Sequence, residues 1–151
     1  MQFRNYYRRM DHWSWNKVFR PNIRRIFLGK CEACCSDGGG SLVVHHIKYG
    51  WAVLYGEESI NDLSLLCDPC HKAAHEFIDT YGFDEYLTIA RKHRLEWYYE
   101  NVAGAYHGPA QIGSGESDYK RWVWHHDNNI REQVIEMELA YKRLENNAFV
   151  R

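Results

Sequence analysis

No stretch of this 151-residue chain approaches the ~20 consecutive apolar residues needed to cross a bilayer, so no spanning helix is expected. The opening residues Met1-Gln2-Phe3-Arg4 lack the apolar stretch of a secretory signal, and the expectation is a soluble, intracellular, cytoplasmic protein. An even cysteine count is also missing. Five cysteines speak against a fully paired disulfide framework, and inside a cell free cysteines are more often metal ligands than disulfides. Internal repeats are absent, and so is any large net charge, which is -1 overall. One compact domain with an appended arm fits a chain of this length.

The near-zero charge averages unlike segments. Residues 1–30 carry eight bases (Arg4, Arg8, Arg9, Lys17, Arg20, Arg24, Arg25 and Lys30) against Asp11, a charge of +7. Residues 31–75 and 76–151 carry -4 each. A basic segment on an otherwise acidic chain is what contact with a polyanion produces, set against the plainer reading of a solvated helix face. The same segment is aromatic (Phe3, Tyr6, Tyr7, Trp13, Trp15, Phe19, Phe27), and most of these rings are expected on the core. Pro21 divides it, Asn22 reads as a helix cap and Gly29 as a stop, which predicts two short helices.

Beyond it, Ser36–Gly40 reads as a turn, and Leu42-Val43-Val44 as a strand running into His45-His46. After a loop, Leu63–Leu66 reads as a second strand, and His71 opens a helix through Ile78. Asp84 is placed as the cap of a helix over about 85–101. Glycines 104, 108, 113 and 115 mark 102–118 as a linker or loop. A last helix is expected over about 128–147, where Ile130, Val134, Met137, Tyr141 and Leu144 form one apolar stripe. That stripe can dock on the domain or pair with a second copy as a homodimer. The fold class expected is α+β: a small core of two strands and a helix, flanked by N- and C-terminal helices. The divisions are 1–30 (basic aromatic arm), 31–80 (core), 81–101 (supporting helix), 102–118 (linker) and 119–151 (C-terminal amphipathic helix).

Cys31-x-x-Cys34 and Cys67-x-x-Cys70 have the spacing of a zinc knuckle. Four thiolates close a tetrahedral site with no open position, which makes this zinc structural. Cys35 is the spare; the preferred spacing favours Cys34. The histidines differ in kind. His71 and His75 are four apart on a helix and project from one face. His45 and His46 are adjacent on a strand and point to opposite sides. One of the two can therefore join His71 and His75 on a metal while the other faces a substrate. Imidazole ligands with open positions make a catalytic rather than a structural centre.

The run Val43-Val44-His45-His46-Ile47-Lys48-Tyr49, then Asn61-Asp62-Leu63-Ser64-Leu65-Leu66-Cys67-Asp68-Pro69-Cys70-His71, then His75, resembles the HNH endonuclease family. The likeness is to its cysteine-containing branch, common among phage and bacterial proteins, with a ββα-metal core. It covers about residues 31–78. The resemblance implies a metal-dependent endonuclease that cuts or nicks DNA, in a host cytoplasm if phage-encoded. It makes His46 the general base and His45, His71 and His75 the ligands of one catalytic divalent metal (Mg2+, Mn2+, Ni2+ or Zn2+). The structural Zn2+ then sits on Cys31, Cys34, Cys67 and Cys70. DNA is the implied partner, contacted by Arg20, Arg24, Arg25, Lys30 and Lys48, with no membrane involved.

One position departs from the family pattern. The residue that orients the base histidine is usually Asn and lies just before the second strand. Counting nine back from His71 gives Asp62, with Asn61 one residue earlier. Asp62 beside His46 would raise the pKa of that ring, since a nearby negative charge favours imidazolium. If Asn61 fills the place, the strand register shifts by one. The competing function is a non-catalytic zinc-containing nucleic-acid-binding module, which has no need of all four histidines. His125-His126-Asp127 is a weaker metal candidate, and Trp122 and Trp124 beside Lys120 and Arg121 are weaker stacking candidates. His12, His93 and His107 read as ordinary.

Overall fold

A computed structural model describes residues 15–47, 58–103 and 115–149. Lys48, the loop after it, His12, His107 and the aromatics up to Trp13 lie outside the described residues.

Residues 15–19 form a π-type coil that runs into helix α1 (Arg20–Ile26). Pro21 does not divide this segment. It sits in the first turn of α1, where a helix has no use for its missing N–H. Asn22 is accordingly no cap: it is buried, and its Nδ2 donates to the Val18 carbonyl at 2.7 Å and to Gln133 Oε1 at 3.0 Å. Gly29 does end the helix, at φ 67° with its N–H on the Arg24 carbonyl at 2.8 Å.

Strands β1 (Leu42–His46) and β2 (Leu63–Cys67) pair antiparallel, with Leu42 opposite Cys67 and His46 opposite Leu63. The turn leading into β1 needs glycine at position 38. Its φ is 67°, and an added Cβ would stand 2.9 Å from Leu42 Cδ2. Helix α2 (Asp68–Tyr81) follows β2 directly, with Pro69 and the acid Asp68 in its first turn. The strand pair is covered on both faces, and every residue of β2 is buried. Leu63, Leu65 and Cys67 share one face with Leu42, Val44 and His46, which α1 covers. Ser64 and Leu66 share the other with Val43 and His45, which α2 covers.

Helix α3 spans Phe83–Tyr98 and continues as a π turn over Tyr99–Ala103. Gly82, at φ 94°, precedes it, so Asp84 lies in its first turn instead of capping it. Helix α4 spans Gly115–Phe149, thirteen residues earlier in onset than its apolar stripe suggests. The expected linker therefore shrinks at both ends. The early part of α4 packs through Tyr119, Trp122 and Val123, an apolar set without the regular heptad spacing of the later part. Of the stripe, Ile130 and Val134 are buried and Met137 half-buried against the chain's own core, while Leu144 is exposed. The first half of the stripe thus docks on the chain's own domain. One core unites α1, the strands, α3 and α4.

Candidate metal centres

Both sets of metal-ligating side chains come together. The sulfurs of Cys31, Cys34, Cys67 and Cys70 all lie within 4.8 Å of one another, with Cys34 and Cys67 at 3.6 Å. Tetrahedral zinc with Zn–S bonds of ~2.3 Å spaces its sulfurs by about 3.8 Å, so the four thiols fit that ion. The first pair is shaped by a turn in which the Cys31 N–H bonds the Ser36 carbonyl (2.8 Å) and the Cys35 N–H the Cys31 carbonyl (2.9 Å). This turn holds Cys35 exposed, at φ 63°, outside the cluster. Burial raises the Cys31 thiol, but backbone N–H groups of Cys67, Cys34 and Ala33 outweigh it and bring it down to about 7. Burial, followed by the neighbouring thiols, pushes Cys70 up. Without a cation these thiols resist joint ionisation; a dication binds all four as thiolates.

The second set is His45, His71 and His75, whose ring nitrogens also lie within 4.8 Å of one another. The two Nε2 atoms of His71 and His75 are 3.0 Å apart, and the His45 ring is edge-on to both at 5.1 and 5.0 Å between centroids. First-row metal–imidazole bonds of ~2.0–2.1 Å separate neighbouring nitrogens by about 3.3 Å, close to the spacing of His71 and His75. His45 is buried, His71 half-buried and His75 exposed, so the centre opens to solvent on the α2 side. Burial, with His71, His75 and His46 adding to it, pushes His45 down to about 4. Burial and then His75 lower His71, against Asp68. Neutral imidazole is the form that donates a lone pair to a cation.

His46 turns to the other face of β1, as strand alternation requires, and its ring stacks on Trp15. The Asp62 carbonyl accepts from the Ile47 N–H at 2.7 Å, which carries the hairpin register one pair further and fixes Asp62 opposite Ile47. The Asp62 carboxylate lies 3.8 Å from Arg91, and Asn61 Oδ1 accepts from the Tyr119 hydroxyl at 2.5 Å. Arg20, Arg24, Arg25 and Lys30 are all exposed on and after α1. Arg25 also donates to Asn22 Oδ1 at 2.8 Å.

Several residues that build this region were not singled out by motif. Arg94, from α3, is 1% exposed and pairs with Glu32 (4% exposed), which sits between Cys31 and Cys34. Its Nε and Nη2 reach Glu32 Oε1 at 3.0 and 2.7 Å. Nη1 donates to the Ile60 carbonyl at 2.7 Å and Nη2 also to that of Leu63, while the guanidinium lies over Phe27. Burial opposes the charge on Arg94, but Glu32 and Tyr119 outweigh it and raise its pKa. His93 Nε2 is 2.9 Å from the Glu32 carbonyl oxygen. Asp127 stands apart from both clusters and caps the turn before β2, accepting from Ser59 Oγ (2.6 Å) and the Ile60 N–H (2.8 Å). Burial raises its pKa against those two bonds. Trp122 packs in the core and Trp124 is exposed.

Among the described residues no helix is long and apolar enough to cross a membrane. No curated protein and no solved structure matches the chain. Residues 31–77, which hold every member of the four-thiol and three-imidazole sets, match the family model described as HNH endonuclease.

Proposed function

We propose that this protein is a metal-dependent endonuclease that hydrolyses DNA phosphodiester bonds. The observation that carries the reading is the coexistence of two chemically distinct clusters in one ββα unit, a closed thiol set and a histidine set open to solvent. A binding module needs the first and has no use for the second. His45, His71 and His75 would hold one divalent cation, which supplies Lewis-acid charge to the phosphate at the moment of cleavage. His46 acts as general base on the attacking water. Its imidazole, on the opposite face of β1 from the ligand His45, can take up and release a proton near neutral pH. Asp62 and Asn61, in the turn across the hairpin from His46, are the candidates for orienting that base. Arg20, Arg24, Arg25, Lys30 and Lys48 supply contacts to phosphate, which give affinity without sequence information.

The test is a plasmid-nicking assay on the full chain. Relaxed or linear DNA should form with Mg2+, Mn2+, Ni2+ or Zn2+ and not with EDTA. Intact supercoiled plasmid under every metal would refute the nuclease and favour the binding module.

The thiol set carries its own expectation. Purified protein should hold about one tightly bound zinc per chain, because four thiolates leave the ion no exchangeable position. Cys31→Ser or Cys67→Ser should lose that zinc and destabilise the fold, whereas Cys35→Ser should do neither. Elemental analysis showing no zinc in folded protein would remove the assignment.

A further inference from the structure

The geometry points to Trp15 as a positioning residue for His46, holding the plane of its imidazole by a face-to-face contact; this rests on the role proposed for His46 above. The two rings are 5.1 Å apart between centroids and inclined by only 14°. Trp15 in turn stacks on Phe19 at 5.7 Å and 24°. Phe19 is 1% exposed and belongs to the central core. The three rings form a column that runs from a fixed core position to the half-buried histidine at the end of β1.

Local structure explains the column. Residues 15–19 wind as a π coil that runs into α1, and positions 15 and 19, four apart, fall on one face of it, where their rings meet. Single π turns are frequent at functional sites.

The contact suits a base. A histidine ring turns broadly about its last torsion, so a strand end alone leaves its plane undefined. Stacking selects one plane and uses neither ring nitrogen, so orientation is gained without occupying the atom that must accept a proton. Orientation errors on the scale of an ångström are costly to catalysis. The indole also covers one face of the imidazole.

Trp15→Leu and Trp15→Phe in the full chain, each checked for zinc content, test this. With Trp15→Leu we expect kcat for plasmid nicking to fall by about tenfold or more while KM stays within about twofold. With Trp15→Phe, which retains a ring face, most of kcat should return. NMR of the wild-type chain should show the His46 ring protons shifted upfield by the indole, and Trp15→Leu should abolish that shift. Equal kcat in wild type and both variants, or unshifted His46 protons in the wild type, would overturn the proposal. A loss that appears in KM alone would overturn it too, since Trp15 would then be contacting DNA. Should Trp15→Leu fail to fold, Trp15→Phe and Trp15→Tyr carry the kinetic comparison and the wild-type spectrum decides the contact. A wild-type protein that cleaves nothing would refute the nuclease reading, while the spectrum would still decide whether Trp15 fixes the His46 ring.

Discussion

His46→Ala is expected to lower the rate of DNA cleavage by about 10²–10⁴-fold, the usual contribution of a positioned general base. DNA binding and zinc content should be unchanged, because His46 belongs to neither metal-ligating set. The contrast with its neighbour makes the experiment informative. His45 and His46 are adjacent, yet β1 turns one toward His71 and His75 and the other toward Trp15. Loss of His45 or His71 should therefore weaken binding of the catalytic metal together with activity, while loss of His46 should cost activity alone. Metal titration beside single-turnover cleavage separates the two. An active His46→Ala protein would sink the mechanism.

Arg94→Met should destabilise the fold by about 3–5 kcal/mol, measured as a shift in the urea midpoint at constant slope. The guanidinium and the Glu32 carboxylate are both almost wholly buried, so removing one leaves the other charged, desolvated and unpaired. The carbonyls of Ile60 and Leu63 each lose a donor in the same step, though that of Ile60 keeps the Leu63 N–H. The ion pair itself is not the source of stability. Replacing both partners, Glu32→Met with Arg94→Met, should recover much of the loss, as apolar pairs of similar volume often do. Arg91→Ala provides the comparison. That side chain is 48% exposed and stands 3.8 Å from Asp62, so its removal should cost no more than about 0.5 kcal/mol. A wild-type urea midpoint in Arg94→Met would show that the buried pair contributes nothing.

What could be read from the chain beforehand was what repeats locally. Two cysteines three apart, twice, can meet once a hairpin brings the pairs together. His71 and His75 four apart must share a helix face, and two adjacent histidines on a strand must separate. These are consequences of backbone periodicity, and the structure follows them. The same logic failed where a local signal had a second meaning. Pro21 breaks a helix interior but is at ease in a first turn, and here it is in a first turn. Asn22 can cap, yet as a buried residue it bonds Val18 and, 111 residues away, Gln133.

The polar contacts around the turn before β2 were beyond local reading altogether. Glu32 with Arg94, Ser59 with Asp127 and Asn61 with Tyr119 join positions 62, 68 and 58 apart. No periodicity connects such residues. Asp127 drew notice only beside His125 and His126 as a metal candidate, whereas its carboxylate caps a turn. Arg94 offered no signal, because an arginine on an amphipathic helix is ordinarily a surface residue.

Helix α4 reaches back over the molecule, and the length of the HNH-type stretch takes on a different meaning beside it. Tyr119 and Asp127 grip the turn that enters β2, Ile130 and Val134 close the core, and Arg94 crosses from α3 into the cysteine knuckle. Each of these residues lies downstream of Phe77, where the family match ends. Phe19, Ile23 and Phe27, equally part of the core, lie upstream of Cys31. The 31–77 stretch is therefore a unit of resemblance whose core is shared with both flanks. Transplanted alone it would carry both ligand sets but only about half of the apolar interior that holds them in register. Sequence drift in the flanks is consequently not free: a substitution far from any metal ligand can loosen the geometry of both centres.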